Sequence, residues 1–410
     1  MSLEWESKPF SDLVDIIGGG TPKTSIDEYW NGDIPWISIK DFNSGQKYVL
    51  STEKTITELG LNNSSTKLLH KDDIIISARG TVGEVAMIKY EMAFNQSCYG
   101  LKVHELLDKD FVYYLLRYNI NKLRNMVHGA VFDTITTNTF DNIIVNVPPQ
   151  EYQEKISYLL SNIDNLIEVK IHENKNLEEQ LLRIFDSWFL KFELSNEFSD
   201  SKLGLIPKGW KIDYLGSKKS CSIIKSGIDE FDNSKIYIAT ADVDNSIITS
   251  NDTLITMDDK PSRANMQPIS NSIWFAKMID SKKLIMVDEY CNDLLNNYIF
   301  STGFCGLKCV DKYFYYLWTF LLTDVFDVMK NNFCTGTTMQ AINNKDTKLI
   351  EFVLPDDKTI TQFNSIAKPM FKKIYYNNLE IKKLQRLRDT LLPKLMSGEI
   401  DVSEVNCDLE

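Results

Sequence analysis

The sequence predicts an α+β protein: two tandem, pseudo-two-fold related α+β domains separated by a long antiparallel two-helix coiled coil. Three observations predict it. The chain resembles itself at an offset near 205 residues, each half closes with a heptad-patterned helix, and the two helices differ in charge. At 410 residues, 43% hydrophobic and 25% charged, the chain exceeds one ordinary domain and has the apolar content to build real cores.

The repeat is read directly. Trp5 falls near Trp210, the strand-like segment Ile37 to Asp41 resembles Ile238 to Asp242, and Gly100-Leu101-Lys102 recurs as Gly306-Leu307-Lys308. Further along, the offset locks at 207, with Gly129, Ile135 and Pro148 matching Gly336, Ile342 and Pro355. The first part of each half mixes β-rich runs (Ile34 to Ile39, Asp73 to Ser77; Lys235 to Ala239, Ser272 to Ala276) with polar turns and one amphipathic helix, Phe111 to Arg124 or Tyr313 to Met329. That pattern predicts a compact α+β domain.

A Pro-marked boundary then opens each long helix, with Pro369 an interior exception. In the first, Ile156, Leu160, Ile163, Ile167, Lys170, Asn174, Leu177, Leu181, Ile184 and Trp188 alternate steps of four and three, the spacing of a coiled-coil seam. In the second, Phe363, Ala367, Met370, Ile374, Asn377, Ile381, Leu384, Arg388, Leu391 and Leu395 repeat the ladder 207 residues later. Polar side chains in mid-seam would fix register at some cost in stability. From Glu151 to Glu193 there are nine acidic and five basic residues, and from Lys368 to Lys394 eight basic and two acidic, so the helices should prefer each other. The predicted division is 1–149, first domain; 150–194, first helix; 195–356, second domain; 357–402, second helix; 403–410, tail. Trp188 and Phe189 would cap the bundle, form a partner patch, or be buried against the second domain.

Composition excludes several function classes. A net charge of -12 argues against a histone-like coat on DNA but leaves room for local basic loops. Seven scattered cysteines and four histidines fit reduced thiols, with neither a disulfide framework nor a metal site expected. The richest apolar run, Tyr313 to Leu322, is far short of the roughly 18 to 20 residues that span a bilayer. No membrane association and a cytoplasmic location are expected. Gly18 to Thr24 lacks the Gly before Lys that a phosphate-cradling P-loop requires, since Pro22 stands there. Asn146-Val147-Pro148-Pro149-Gln150 has the wrong order, and no aromatic, for an adenine methyltransferase loop. No catalytic constellation is found, so no enzyme activity is expected of the chain itself.

Two similar domains on a helical spacer suit a bipartite DNA site. The sequence resembles the specificity (S) subunits of type I restriction-modification systems over nearly its whole length. The resemblance rests on Gly19-Gly20-Thr21-Pro22-Lys23 with Glu28-Tyr29-Trp30 and Ile34-Pro35-Trp36-Ile37, on Gly336 to Ile342 leading to Leu354-Pro355, and on the tail Leu391 to Ile400. It implies two target-recognition domains, each reading one half-site of double-stranded DNA, and helices that dock two methyltransferase (M) subunits, with restriction (R) subunits joining. It implies no cofactor on this chain: S-adenosylmethionine belongs to the methyltransferase partner, ATP and Mg to the restriction partner. The second domain departs from the pattern, because Lys225-Ser226-Gly227-Ile228 lacks the Gly-Gly-Thr-Pro signature. A coiled-coil interaction scaffold with no DNA role is the alternative reading.

DNA contacts are expected from polar loops, because base edges take Arg, Lys, Asn and Gln while phosphates take Lys, Arg, Ser, Thr and amides. The candidates in the first domain are Lys23, Thr24, Arg79, Gly80, Thr81, Asn95, Gln96, Thr136, Thr137 and Asn138. In the second they are Lys260, Arg263, Lys277, Lys282, Thr337, Thr338, Gln340 and Asn343. Arg79 and Gln340 are singled out for base edges.

Overall fold

The computed structural model describes residues 5–42, 46–127, 134–337 and 339–407. The chain forms two compact units, Met1–Glu173 with Tyr376–Glu410, and Asn174–Tyr375, so the divisions fall inside the two long helices. No helix among the described residues is long and apolar enough to cross a membrane.

The expected duplication is present as topology. In the first unit a five-stranded sheet orders Val14–Gly18, Cys98–Val103, Ile74–Ser77, Val85–Ile88 and Tyr48–Val49. A second sheet orders Lys54–Ile56, Trp30–Ile37, Met92–Phe94 and Leu68–Leu69. Glu6–Pro9 pairs with Ile144–Val147. The second unit repeats this order with Cys221–Ile223, Phe304–Cys309, Ser272–Ala276 and Leu284–Val287, then with Leu254–Ile255, Lys235–Ile238, Tyr298–Ser301 and Ala264–Met266. Lys211–Tyr214 pairs with Glu351–Leu354.

The recurring Gly-Leu-Lys has a packing reason. A Cβ on Gly100 would meet the Leu69 side chain at 2.4 Å, and one on Gly306 would meet the Trp274 ring at 2.4 Å. Leu101 and Leu307 beside them are fully buried. The segment read as strand from Ile37 to Asp41 is instead a strand end closed by a turn. Asp41 accepts the Ser38 N–H at 2.7 Å, as Asp242 accepts that of Ala239 at 2.7 Å. An Asx side chain satisfies the backbone there in place of a ladder partner.

The helices are α1, Lys109–Val127; α2, Gln150–Phe185; α3, Phe314–Leu322; α4, Asp324–Asn332; and α5, Asp357–Met396. The single helix expected from Tyr313 to Met329 is thus two. Thr323 turns extended (ψ 150) and its hydroxyl accepts the Phe326 N–H, capping α4 and stopping α3. All nine residues of α3 are buried, as a core helix requires. α5 runs through both Pro369 and Pro393. Gly129, matched to Gly336 in the sequence, lies outside the described residues.

Within the first unit α2 and α5 are antiparallel: Asp164 meets Arg388 at 2.7 Å, Lys170 meets Glu380 at 2.6 Å, and Asn377 donates to Glu173 at 2.9 Å. Lys170, Asn377 and Arg388 of the predicted seam therefore have partners on the facing helix. Ile156, Leu160, Ile163, Ile167 and Leu395 of the predicted seam are buried there, while Ile381, Leu384 and Leu391 are half-buried. In the second unit Leu181 is buried, and Leu177, Ile184, Met370 and Ile374 are half-buried. Phe185, Phe189, Phe363 and Phe371 fill that core, with Phe185 5.3 Å from the Tyr316 ring. The buried surface is wider than a two-position stripe, because each helix also covers a sheet domain. Trp188 and Phe189 pack inside this unit, Phe189 5.9 Å from Trp210, which selects the burial reading.

Candidate nucleic-acid interface

The predicted loops of the first unit converge through main-chain bonds. Gly20 N–H donates to Phe94 carbonyl at 3.0 Å, and Thr21 donates to Gln96. A Cβ on Gly19 would strike the Asn95 carbonyl at 2.1 Å, so the glycine allows this close approach. Next in space, the Ser97 carbonyl accepts from Ala78 N–H at 2.7 Å and Arg79 N–H at 3.3 Å. Ala78 in turn accepts from Ile135 N–H at 3.0 Å. Four segments distant in sequence are thereby held side by side. Lys23, Thr24, Arg79, Gly80, Thr81, Gln96, Thr136, Thr137 and Asn138 are exposed on them and Asn95 is half-buried. Asn95 accepts the Ser97 N–H at 3.0 Å, and Thr136 bonds Thr139 to cap a short helical turn.

The second unit repeats the central links. Lys277 N–H donates to Gly303 carbonyl at 2.9 Å, and Ile342 N–H to Lys277 carbonyl at 2.9 Å, as Ile135 does to Ala78. Thr302 joins two candidates: its N–H donates to Arg263 carbonyl at 2.9 Å and its carbonyl accepts from Lys277 Nζ at 3.1 Å. Gln340 carbonyl accepts from Ile279 N–H at 3.0 Å. Arg263, Thr337 and Gln340 are exposed there, and Lys277 is half-buried. Thr338 lies outside the described residues.

Three second-unit candidates sit differently. Lys282 is held by Asp324 at 3.0 Å and Asp327 at 3.8 Å, so its charge is balanced at the start of α4. Asn343 bonds Asp346 and accepts the N–H groups of Lys345 and Asp346 at 2.8 and 2.9 Å, closing its own turn. Lys260 lies in the turn before the strand Ala264–Met266, half-buried.

Positioning residues escaped the sequence reading. Arg124, near the end of α1, donates to the carbonyls of Val82 at 2.9 Å and Gly83 at 3.3 Å and pairs with Glu84 at 3.3 Å. It grips the turn that follows Arg79. Lys330, near the end of α4, donates to the Ser281 carbonyl at 2.7 Å and pairs with Asp327 at 3.5 Å while almost wholly buried. Burial lowers its pKa, with Asp327 opposing. The two cations stand at matching points of the repeat, each holding the hairpin between the third and fourth strands of its sheet. Only the repeat offset, applied to a cation at a helix end, could have signalled them.

Exposed guanidinium, amide and hydroxyl groups on loops fixed by backbone bonds form a surface able to meet phosphates and groove edges. Known proteins point the same way. Residues 2–179 match the family model described as type I restriction modification DNA specificity domain. The chain is 30% identical over 418 aligned positions to the type I restriction enzyme MjaIX specificity subunit of Methanocaldococcus jannaschii, covering 98% of this chain and 95% of that one. It is 31% identical over 172 positions to the EcoR124I/EcoR124II specificity subunit of Escherichia coli, 40% of this chain and 41% of that. In fold it is similar to the crystal structure of the type I restriction-modification S subunit from M. genitalium, with a TM-score of 0.52 at 15% identity over 96% of each chain. Near-complete coverage by a relative at that identity means that this chain belongs to the family of type I restriction enzyme specificity subunits.

Proposed function

We propose that the chain is the non-catalytic, DNA-reading subunit of a type I restriction-modification complex acting in the cytoplasm. Each unit reads one half of a bipartite double-stranded site, and the helices dock two methyltransferase (M) subunits, with restriction (R) subunits joining them. The chain binds no cofactor of its own: S-adenosylmethionine is used by the methyltransferase partner, ATP and Mg by the restriction partner. The observation that carries this reading is the repeated loop platform, in which Ile135 N–H to Ala78 carbonyl recurs as Ile342 N–H to Lys277 carbonyl. Two equivalent platforms suit two half-sites. The test is reconstitution with cognate M subunits. Adenine methylation at a two-part site is expected, with none from the purified chain alone. Methyl transfer by this chain by itself, or modification of a site with one specified half, would refute the proposal.

A further inference from the structure

Cys221 and Cys309 stand opposite each other on the antiparallel strands Cys221–Ile223 and Phe304–Cys309 of the second unit. The neighbouring bonds define the kind of pair. Val310 N–H donates to Ser220 carbonyl at 2.8 Å, and Ile224 N–H to Gly306 carbonyl at 2.8 Å. Bonded and unbonded pairs alternate along an antiparallel ladder, so Ser222 with Lys308 is a bonded pair and Cys221 with Cys309 an unbonded one. Unbonded pairs bring Cα atoms to about 4.5 Å with side chains on one face, inside the roughly 4.4–6.8 Å that disulfides span. Both residues are free thiols, 1% and 2% exposed. Cys305 and Cys309, the closest pair in sequence, share one strand and lie about 13 Å apart at roughly 3.3 Å per residue.

Two further features suit reaction at this pair. The strand Cys221–Ile223 is the edge of its sheet, so adjusting it disturbs a single ladder. An open cleft lined by Lys218, Cys221, Ser222, Lys308, Cys309 and Val310 lies beside the two cysteines. Burial pushes the Cys221 thiol up to about 11, against the Gly216 N–H that donates to its Sγ at 3.3 Å, and holds Cys309 well above an ordinary thiol. Reaction at neutral pH is therefore slow, because thiolate is the attacking species.

We propose that Cys221 and Cys309 are a dithiol modification site that low-molecular-weight disulfides convert to a cross-strand disulfide. One thiol loses its proton and attacks a sulfur of the small disulfide, expelling a small thiolate and leaving a mixed disulfide on the protein. The second thiol, deprotonated, then attacks the protein sulfur of that mixed disulfide. The Sγ–Sγ bond forms, a second small thiolate leaves, and the two released protons neutralise the departing thiolates. The two cysteine sulfurs are oxidised by two electrons and the small disulfide is reduced to two thiols. The link fastens the edge strand that leads into Lys225-Ser226-Gly227-Ile228, the second unit's counterpart of the Gly19 to Lys23 loop.

The experiment uses the full chain and oxidised glutathione in native buffer, followed by iodoacetamide in urea and mapping of the unreduced digest by mass spectrometry. A peptide joining Cys221 to Cys309, two fewer titratable thiols per chain, and reversal by dithiothreitol are expected, with a melting temperature raised by several degrees. Cys221→Ala should abolish the link, and the wild-type map stands alone if that variant fails to fold. Both cysteines recovered alkylated, a mixed glutathione adduct that never closes, a link to Cys305, or a link formed only when oxidant is added in urea would each overturn the proposal.

Discussion

Arg388 of α5 closes on Asp164 of α2 at 2.7 Å with both side chains at most 3% exposed. Tyr114 donates to the other carboxylate oxygen at 2.6 Å, and Arg388 also meets Asp389 at 3.0 Å. By the repeat offset of 207, the counterparts of Asp164 and Arg388 are Phe371 and Leu181, both buried apolar residues of the second unit's core. One unit thus holds an ion pair where the other holds hydrocarbon.

That comparison sets the first prediction. Arg388→Ala leaves a buried carboxylate unpaired and should cost about 3–5 kcal/mol of first-unit stability. The double variant Asp164→Phe with Arg388→Leu copies the second unit and should regain most of that loss. Urea melts of the three proteins decide it; a double variant no better than Arg388→Ala would contradict the equivalence.

Asp356 gives a pH-dependent prediction. Burial raises its pKa, but the backbone and side chain of Thr359 and the Trp210 indole bond its carboxylate and hold it below the usual range. A depressed folded value means that its contribution is present above the unfolded carboxylate pKa of about 3.9 and is lost as pH falls through the lower folded value. Asp356→Ala should cost about 1 kcal/mol at pH 7, the usual value of a helix N-cap, and the gap from wild type should shrink below about pH 4. Denaturation curves across pH provide the check.

Recognition should be separable by unit. Arg79→Ala is expected to relax one half-site by about 1–3 kcal/mol if its guanidinium reads a base, leaving the other half unchanged. Arg124→Ala, which frees the turn beside it, should weaken the same half less sharply. Methylome sequencing of cells carrying each variant would expose any change in both halves, an outcome incompatible with modular reading.

The helices offer a length test. Deleting Lys170–Asn176 together with Asn377–Lys383 removes one heptad from each and takes out Lys170 with Glu380 and Glu173 with Asn377 as matched pairs. Each helix shortens by about 10 Å at roughly 1.5 Å per residue, or around three base pairs of DNA. On the proposed function the half-sites keep their sequences while the gap between them narrows. A folded, active variant that methylates sites with the original gap would defeat the idea.

Periodic features were legible in the sequence because they depend on local spacing. The heptads, the Gly-Leu-Lys repeats and the buried run Phe314 to Leu322 all follow from side chains meeting a core at regular intervals. Features carried by one distant partner were not. Thr323 splits a helix through a single hydroxyl, Arg124 reaches back to Val82, and Cys221 meets Cys309 only once two strands align. The candidate loops could be named from their chemistry, but their convergence rests on main-chain bonds such as Ser97 carbonyl to Ala78 N–H, which leave no mark on residue type.

Those main-chain bonds bear on how such a protein can diversify. Arg124 and Lys330 grip carbonyl oxygens of Val82, Gly83 and Ser281, and the Ser97 carbonyl receives the amides of Ala78 and Arg79. Every amino acid supplies a carbonyl, and all but proline an amide. On the proposed function, substitutions at Arg79, Thr81 or Gln340 would therefore exchange the side-chain chemistry of each loop while the loop keeps its seat, so a lineage would change the sequence it recognises without rebuilding the fold beneath.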